Sequence, residues 1–238
     1  MKKIVSVLFL FCVGACCYVQ TPESTNNIPT FPLNSFTLVQ TTITALNLEN
    51  NKVEIKQKVA LSSGTIIHKN KKGSFILTTG HSCSPPKQLS LKAFEMKKAL
   101  FVNKMTIKTH LNKSYKATIV KIDNKQDLCM LWVEGLTFLP SVILSRRAPK
   151  LGERVFNLAS PHGIFNKNFC LVYDGYYAGE NVNRSWYSFF STHGSSGSMV
   201  LNRQGKLIGI ITHADPRVEA GLGSNYHKTV KFVQKNTK

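Results

Sequence analysis

Residues 192–200 read Thr192-His193-Gly194-Ser195-Ser196-Gly197-Ser198-Met199-Val200. A serine on a glycine-flanked turn, followed by apolar residues, suits a nucleophile presented at the entry to a buried strand. Glycine has a physical reason to be there: a turn sharp enough to aim backbone N–H groups inward needs φ > 0, which glycine reaches without a Cβ clash. Inward N–H groups from Gly194 and Ser196 would stabilise the oxyanion of a tetrahedral intermediate. Taken alone, a Gly/Ser cluster marks an ordinary turn, so the chemistry needs partners elsewhere in the chain.

A serine attacks an acyl carbon at neutral pH only when a base takes its proton, and the base needs a carboxylate to fix its tautomer. Candidates for both lie upstream. Ser74-Phe75-Ile76-Leu77-Thr78-Thr79-Gly80-His81 is an apolar, β-rich run ending in a histidine. A lone histidine in such a place is ordinarily a satisfied core residue. Asp127 opens the apolar run Leu128-Cys129-Met130-Leu131-Trp132-Val133, and Asp123 lies four residues before it. The chain holds four aspartates, Asp123, Asp127, Asp174 and Asp215, so a catalytic acid has few alternatives.

The order His81, acid, Ser196 is that of chymotrypsin and not of subtilisin or the α/β-hydrolases. The sequence resembles trypsin-like serine proteases of the chymotrypsin fold, and among them the bacterial HtrA-type and glutamyl-endopeptidase-type enzymes. Ser63-Gly64-Thr65-Ile66-Ile67 resembles the family's "GSGVII" strand, and 76–81 its "ILTNAH". Asp127 to Leu131 resembles "DLALL", 152–163 resembles "GEPVxAIGNPFG", 194–200 "GNSGGPL", and 205–210 "GxVVGI". The likeness covers residues 55–235. It implies a catalytic triad of His81, Asp127 and Ser196, with Asp123 left as a turn residue, and an oxyanion hole of the Gly194 and Ser196 N–H groups. It puts His162, His193 and His213 near the cleft as surface or pocket-wall residues. Departures are Gly80 for alanine, and Ser195, Ser198 and Met199 for Asn, Gly and Pro. None removes a triad group. The resemblance leaves no room for the PDZ domain of HtrA-type enzymes.

The positioning elements read as short strands. Val, Ile, Thr, Tyr and Phe segments separated by Gly, Asn and Pro predict strands at 37–45, 53–60, 63–68, 74–79, 100–110, 114–122, 128–134, 153–159, 169–178, 185–190, 198–202 and 206–213. One or two helical turns are expected over Lys228 to Gln234. At 42% hydrophobic and 18% charged, the chain can bury the core this needs. The expected fold is all-β: two packed six-stranded antiparallel β-barrels with a short C-terminal helix. No internal sequence repeat is visible.

Residues 1–15 read as a signal peptide: Lys2 and Lys3 precede an apolar stretch too short to span a bilayer. Val13-Gly14-Ala15-Cys16 resembles a bacterial lipobox, with Cys16 as the lipidated residue; a plain secretory leader cut nearby is the alternative. Residues 16–36 are expected to form a tether and 37–238 the protease domain. The expected location is therefore outside the cytoplasm, on a membrane through the lipid anchor. With Cys12, Cys16 and Cys17 assigned to the leader and anchor, Cys83, Cys129 and Cys170 remain, enough for at most one bridge and a buried thiol.

The net charge of +19, or +17 once Lys2 and Lys3 leave with the leader, is spread rather than blocked. It favours anionic surfaces without specificity; no nucleic-acid module is present. No metal or organic cofactor is expected, and the expected partner is a polypeptide substrate. Thr192 falls where glutamyl endopeptidases place a threonine beside a substrate carboxylate. Their pocket histidine would fall at Ile211, two residues short of His213 unless the strand carries a bulge, so Thr192 and His213 are substrate-pocket candidates. An acidic preference is one implication; the other is a Thr192 that only packs in the turn beside a pocket for small apolar side chains, as in HtrA-type enzymes. Two other readings stay open: a catalytically silent protease-like fold that binds a cell-surface or phage-associated partner, and an esterase-like hydrolase.

Overall fold

Runs such as Ile66-Ile67, Ile76-Leu77, Leu128 to Val133 and Met199 to Leu201 have no polar face, so strands made of them must be covered on both sides. A computed structural model, which describes residues 30–49, 52–84 and 100–237, shows how. Twelve strands form two closed antiparallel barrels. The N-terminal barrel contains β1 (Phe36–Glu49), β2 (Lys52–Lys69), β3 (Gly73–Thr78), β4 (Leu100–Thr109), β5 (Ser114–Asp123) and β6 (Leu128–Glu134), in the order β1-β2-β3-β6-β5-β4. The C-terminal barrel contains β7 (Arg154–Ala159), β8 (Leu171–Glu180), β9 (Ser185–Tyr187), β10 (Met199–Leu201), β11 (Leu207–Asp215) and β12 (Ala220–Gly223), with neighbours β10-β11-β12-β9-β8-β7.

Alternate residues of each apolar run serve different cores. Ile66, Ile76, Ile107, Leu131 and Val133 fill the N-terminal barrel, while Val155, Tyr187, Val200, Ile208 and Ile211 fill the C-terminal one. Neighbouring residues of the same runs, Ile67, Leu77, Leu128 and Met130 from one barrel with Leu158, Met199, Leu201 and Ile210 from the other, make a third cluster between them. Every one of these side chains is at most 6% exposed, which locks the barrels together along the line where a cleft can open. A four-residue helix α1 (Gly80–Cys83) follows β3, and α2 (Tyr226–Asn236) closes the chain by inserting Phe232 and Val233 into the shared cluster.

The expected fold is the observed one, with four local differences. The predicted strands 53–60 and 63–68 are a single β2, because Leu61, Ser62 and Ser63 stay paired with Gln40, Val39 and Leu38 of β1. β12 was not predicted: its sequence Ala-Gly-Leu-Gly lacks β-formers. Its glycines are there for close approach, since a Cβ on Gly223 would lie 2.5 Å from the Ile210 carbonyl oxygen. The C-terminal helix is longer than one or two turns. Finally, the expected tether ends earlier than residue 36: Phe31 packs edge-on against Phe156 at 5.2 Å, and Phe36 is fully buried. The expected signal peptide, Cys16 and the expected tether up to residue 29 lie outside the described residues. Among the described residues, no helix is long and apolar enough to cross a membrane.

Candidate active site

His81, Asp127 and Ser196 meet in the cleft between the barrels, although 115 positions separate the first from the last. β3 ends at Thr78, and α1 turns His81 back over the barrel mouth. Asp127 precedes β6 in the left-handed region, φ 54°, a conformation that aspartate tolerates better than most residues. Its Oδ1 accepts the His81 backbone N–H at 2.8 Å, and its Oδ2 lies 2.7 Å from His81 Nδ1. An ionised carboxylate only accepts, so the proton is on Nδ1 and the Nε2 lone pair is free. That Nε2 is 3.1 Å from Ser196 Oγ, within reach to accept its proton. Gly80 occupies the position that the family usually gives to alanine; a Cβ there would stand 3.1 Å from Asp127 Oδ1, against the carboxylate that orients the ring. Asp123 stays out of the cleft's chemistry, accepting the Lys125 and Gln126 N–H groups in a turn, as expected.

Ser196 sits in the β9–β10 connection, on the other barrel. Gly194 has φ 91° and Gly197 φ 85°, and neither has room for a side chain. A Cβ on Gly194 would lie 2.5 Å from Ser160 O, and one on Gly197 would collide with Ser63 O. The His193 carbonyl is held away from the cleft by the His162 N–H at 2.7 Å, which leaves the next N–H, that of Gly194, pointing the opposite way. Among the described residues, neither the Gly194 nor the Ser196 N–H donates to a protein acceptor. Two preorganised, unspent donors beside a serine hydroxyl are what a developing oxyanion requires.

Three features were not read from the sequence. Ser63, on β2 of the N-terminal barrel, reaches across to the nucleophile turn. Its N–H donates to the Ser196 carbonyl at 2.7 Å, and its Oγ lies 2.9 Å from the Gly194 carbonyl oxygen and 2.9 Å from Ser160 Oγ. The same Oγ accepts the Ser160 N–H at 3.1 Å, so a buried hydroxyl ties the oxyanion turn to both the opposite barrel and the 160–163 turn. No composition or periodicity marks such a residue. The second is the pairing of Cys83 with Cys129 in a disulfide, leaving Cys170 free. One signal was present: each cysteine stands two residues after a triad candidate, His81 or Asp127. Burial pushes the Cys170 thiol up to about 12, so it stays protonated and unreactive. The third is Arg184, which lines the cleft beside His213.

Thr192 and His213 both line the cleft. Thr192 is tied into the turn, its carbonyl accepting the Ser195 N–H at 3.0 Å. β11 does shift register between Ile211 and His213, the irregularity needed to move His213. Its ring, however, stands beside the triad, with Nδ1 3.9 Å from Asp127 Oδ2 and its centroid 5.9 Å from that of His81. Desolvation, then the Arg184 charge, holds His213 below the usual histidine pKa. Among the described residues, no three His, Cys, Asp or Glu side chains are grouped to hold a metal ion.

Comparison with known proteins agrees with this geometry. The trypsin-like peptidase domain family matches residues 62–210. Serine protease HTRA4 of Mus musculus is 30% identical over 128 residues, half of this chain but 26% of that protein, so the chain spans about a quarter of this relative's length. Among solved structures, a serine endoprotease from Yersinia pestis superimposes with a TM-score of 0.64 at 21% identity, over 92% of this chain and 68% of the other. The HtrA-type protease AlgW, solved with a decapeptide, gives 0.68 at 17% identity, over 88% of this chain and 65% of its own. These likenesses concern the fold; the domain match, which takes in Asp127 and Ser196 and begins upstream of His81, shows that the chain belongs to the trypsin-like peptidase family.

Proposed function

We propose that the protein is a serine endopeptidase that cleaves polypeptides through an acyl-enzyme at Ser196. His81 Nε2 takes the Ser196 proton as Oγ attacks the scissile carbonyl, and returns it to the leaving amine. Asp127 holds the ring in the Nδ1–H tautomer and stabilises the imidazolium that forms. The Gly194 and Ser196 N–H groups take the charge of the tetrahedral oxyanion. The observation that carries this reading is the unbroken chain of contacts, 2.7 Å from Asp127 to His81 and 3.1 Å from His81 to Ser196, beside two unspent N–H donors. A silent binding fold would have no need to keep the three groups and the donors aligned together. The test is hydrolysis of an unfolded protein such as casein: the purified protein releases peptides, and Ser196→Ala releases none. Equal release by the two proteins contradicts the reading.

The same reading places the enzyme outside the cytoplasm, anchored through lipid on Cys16. Its support is the Val13-Gly14-Ala15-Cys16 sequence behind a lysine-led apolar stretch. In a bacterial host, Cys16→Ser is expected to abolish palmitate incorporation and leave uncleaved precursor. Normal processing and soluble release of that variant would identify a plain signal peptide instead.

A further inference from the structure

Arg184 lies in the turn of the β8–β9 hairpin, where its geometry is fixed by polar contacts. Asn181 Oδ1 accepts the Asn183 and Arg184 N–H groups at 2.9 Å each, and the Asn181 N–H donates to the Arg184 carbonyl at 2.9 Å. From there the guanidinium reaches His213, with Nη2 3.4 Å from Nε2. A guanidinium only donates, so Nε2 accepts and the His213 proton is on Nδ1, 3.0 Å from Thr212 Oγ1. Arg184 therefore stands one imidazole away from His81, in the wall of the cleft.

Its charge is uncommitted. Among the described residues, no carboxylate is within ion-pair distance of Arg184. Arg217, which also lines the cleft, is spent: it grips Asp215 at 2.6 Å and holds that carboxyl at about 2. Arg147 and Arg154 are likewise bound, to Glu153 and Asp174. Among the described residues three carboxylates line the cleft: Asp127 belongs to His81 and Asp215 to Arg217, and the third is Glu219, on the turn after Arg217.

An extended substrate has somewhere to lie beside this cation. β11 pairs with β10 only as far as Ile210, while its continuation through Asp215 pairs with β12 alone. One edge of residues 212–215 is thus open, facing the cleft next to Ser196, and an extended peptide can add to such an edge through main-chain hydrogen bonds.

We propose that Arg184, packed against His213, forms a subsite for the carboxylate of an aspartate or glutamate side chain in a polypeptide lying along that edge. The proposal rests on the protease reading and deepens it by naming a substrate class. A guanidinium presents paired donors that match a carboxylate, and a half-buried wall strengthens the attraction relative to open water. His213 contributes by filling the space between Arg184 and the triad, which keeps the cation from settling on Asp127.

The experiment uses peptides that are neutral except for one glutamate, placed in turn at each position flanking the cleaved bond, with matched glutamine controls. At one position glutamate is expected to raise kcat/KM roughly tenfold over glutamine, an advantage that shrinks with added salt. Arg184→Gln should collapse that ratio to near one, and Arg184→Glu should turn it in favour of glutamine. A ratio that survives Arg184→Gln, or the absence of any position preferring glutamate, overturns the proposal. Binding of the same peptide pairs to Ser196→Ala, read by fluorescence anisotropy, makes the comparison without turnover. Glutamate preference in binding with no cleavage by the unmodified protein would uphold the subsite and reject the protease reading.

Discussion

In the N-terminal barrel, His81 follows the third strand and Asp127 lies between the fifth and sixth in chain order; in the C-terminal barrel, Ser196 again follows the third strand, β9. The two barrels share one strand order, since β1-β2-β3-β6-β5-β4 and β7-β8-β9-β12-β11-β10 are the same closed circuit. Their reactive loops are held by opposite means. The His81 and Asp127 loops are joined covalently, Cys83 to Cys129, with both cysteines fully buried. The Ser196 turn has no covalent tie; it is held by Ser63, Ser160 and the His162 N–H. A general base and its carboxylate need one fixed distance between two loops, which a single crosslink supplies. An oxyanion turn needs two peptide planes oriented at once, which takes several directional hydrogen bonds.

If that division is right, damage to the two sides should differ in kind. The largest loss is expected within the covalently held pair's own chemistry. Asp127→Asn should lower kcat by about 10⁴, the size seen for the carboxylate of Ser-His-Asp enzymes, whereas Asp123→Asn should leave it near wild type. Steady-state kinetics on one peptide decides, and the reverse ranking would assign the acid to Asp123. Next comes the hydrogen-bonded side. Ser63→Ala removes the donor to the Gly194 carbonyl and strands a buried Ser160 N–H. It should lower kcat by roughly 10- to 100-fold with KM little changed, a fraction of what an oxyanion donor itself contributes. An unchanged kcat would mean that the turn holds itself.

The disulfide should show in stability more than in rate. Its ends are 46 positions apart, a loop whose closure is worth about 4 kcal/mol in the chain-entropy account. Cys83→Ser with Cys129→Ser should therefore lower Tm by about 10 °C, while Cys170→Ser in the other barrel lowers it far less. Scanning calorimetry of the variants distinguishes them. Smallest is a pH effect in the N-terminal barrel. His110 is 4% exposed, its Nδ1 has no partner among the described residues, and burial holds its pKa below the usual value. The folded state keeps His110 neutral where the unfolded chain, near pH 6.5, begins to take up a proton. Stability is therefore full above about pH 6.5 and declines as pH falls through the lowered value. His213 shifts the same way, so His110→Phe should flatten, but not abolish, the fall in urea midpoint between pH 7.5 and 5.5.

The same contrast explains what the sequence disclosed. The convergence of His81, Asp127 and Ser196 in one cleft was legible because each ends or opens an apolar run, and because their order in the chain matches that of a known fold. Ser63 and the His162 N–H were not, since a positioning hydrogen bond has no residue pattern of its own. The bulge in β11 was legible only as a condition on where His213 would fall. Even the count of strands misleads: twelve were expected and the described residues hold twelve, but one expected pair is the single β2, and the glycine-bearing β12 took the missing place. Propensity failed at β12 because backbone approach to Ile210, not side-chain preference, decides that strand.

The central claim is that the two barrels together make Ser196 a reactive nucleophile. A fluorophosphonate, which phosphonylates activated serines, tests it directly when the labelled protein is digested and the modified residue is read by mass spectrometry. The account predicts one adduct, on Ser196, lost in Ser196→Ala and in His81→Ala. No adduct on the unmodified protein, or labelling that persists in Ser196→Ala, would contradict it.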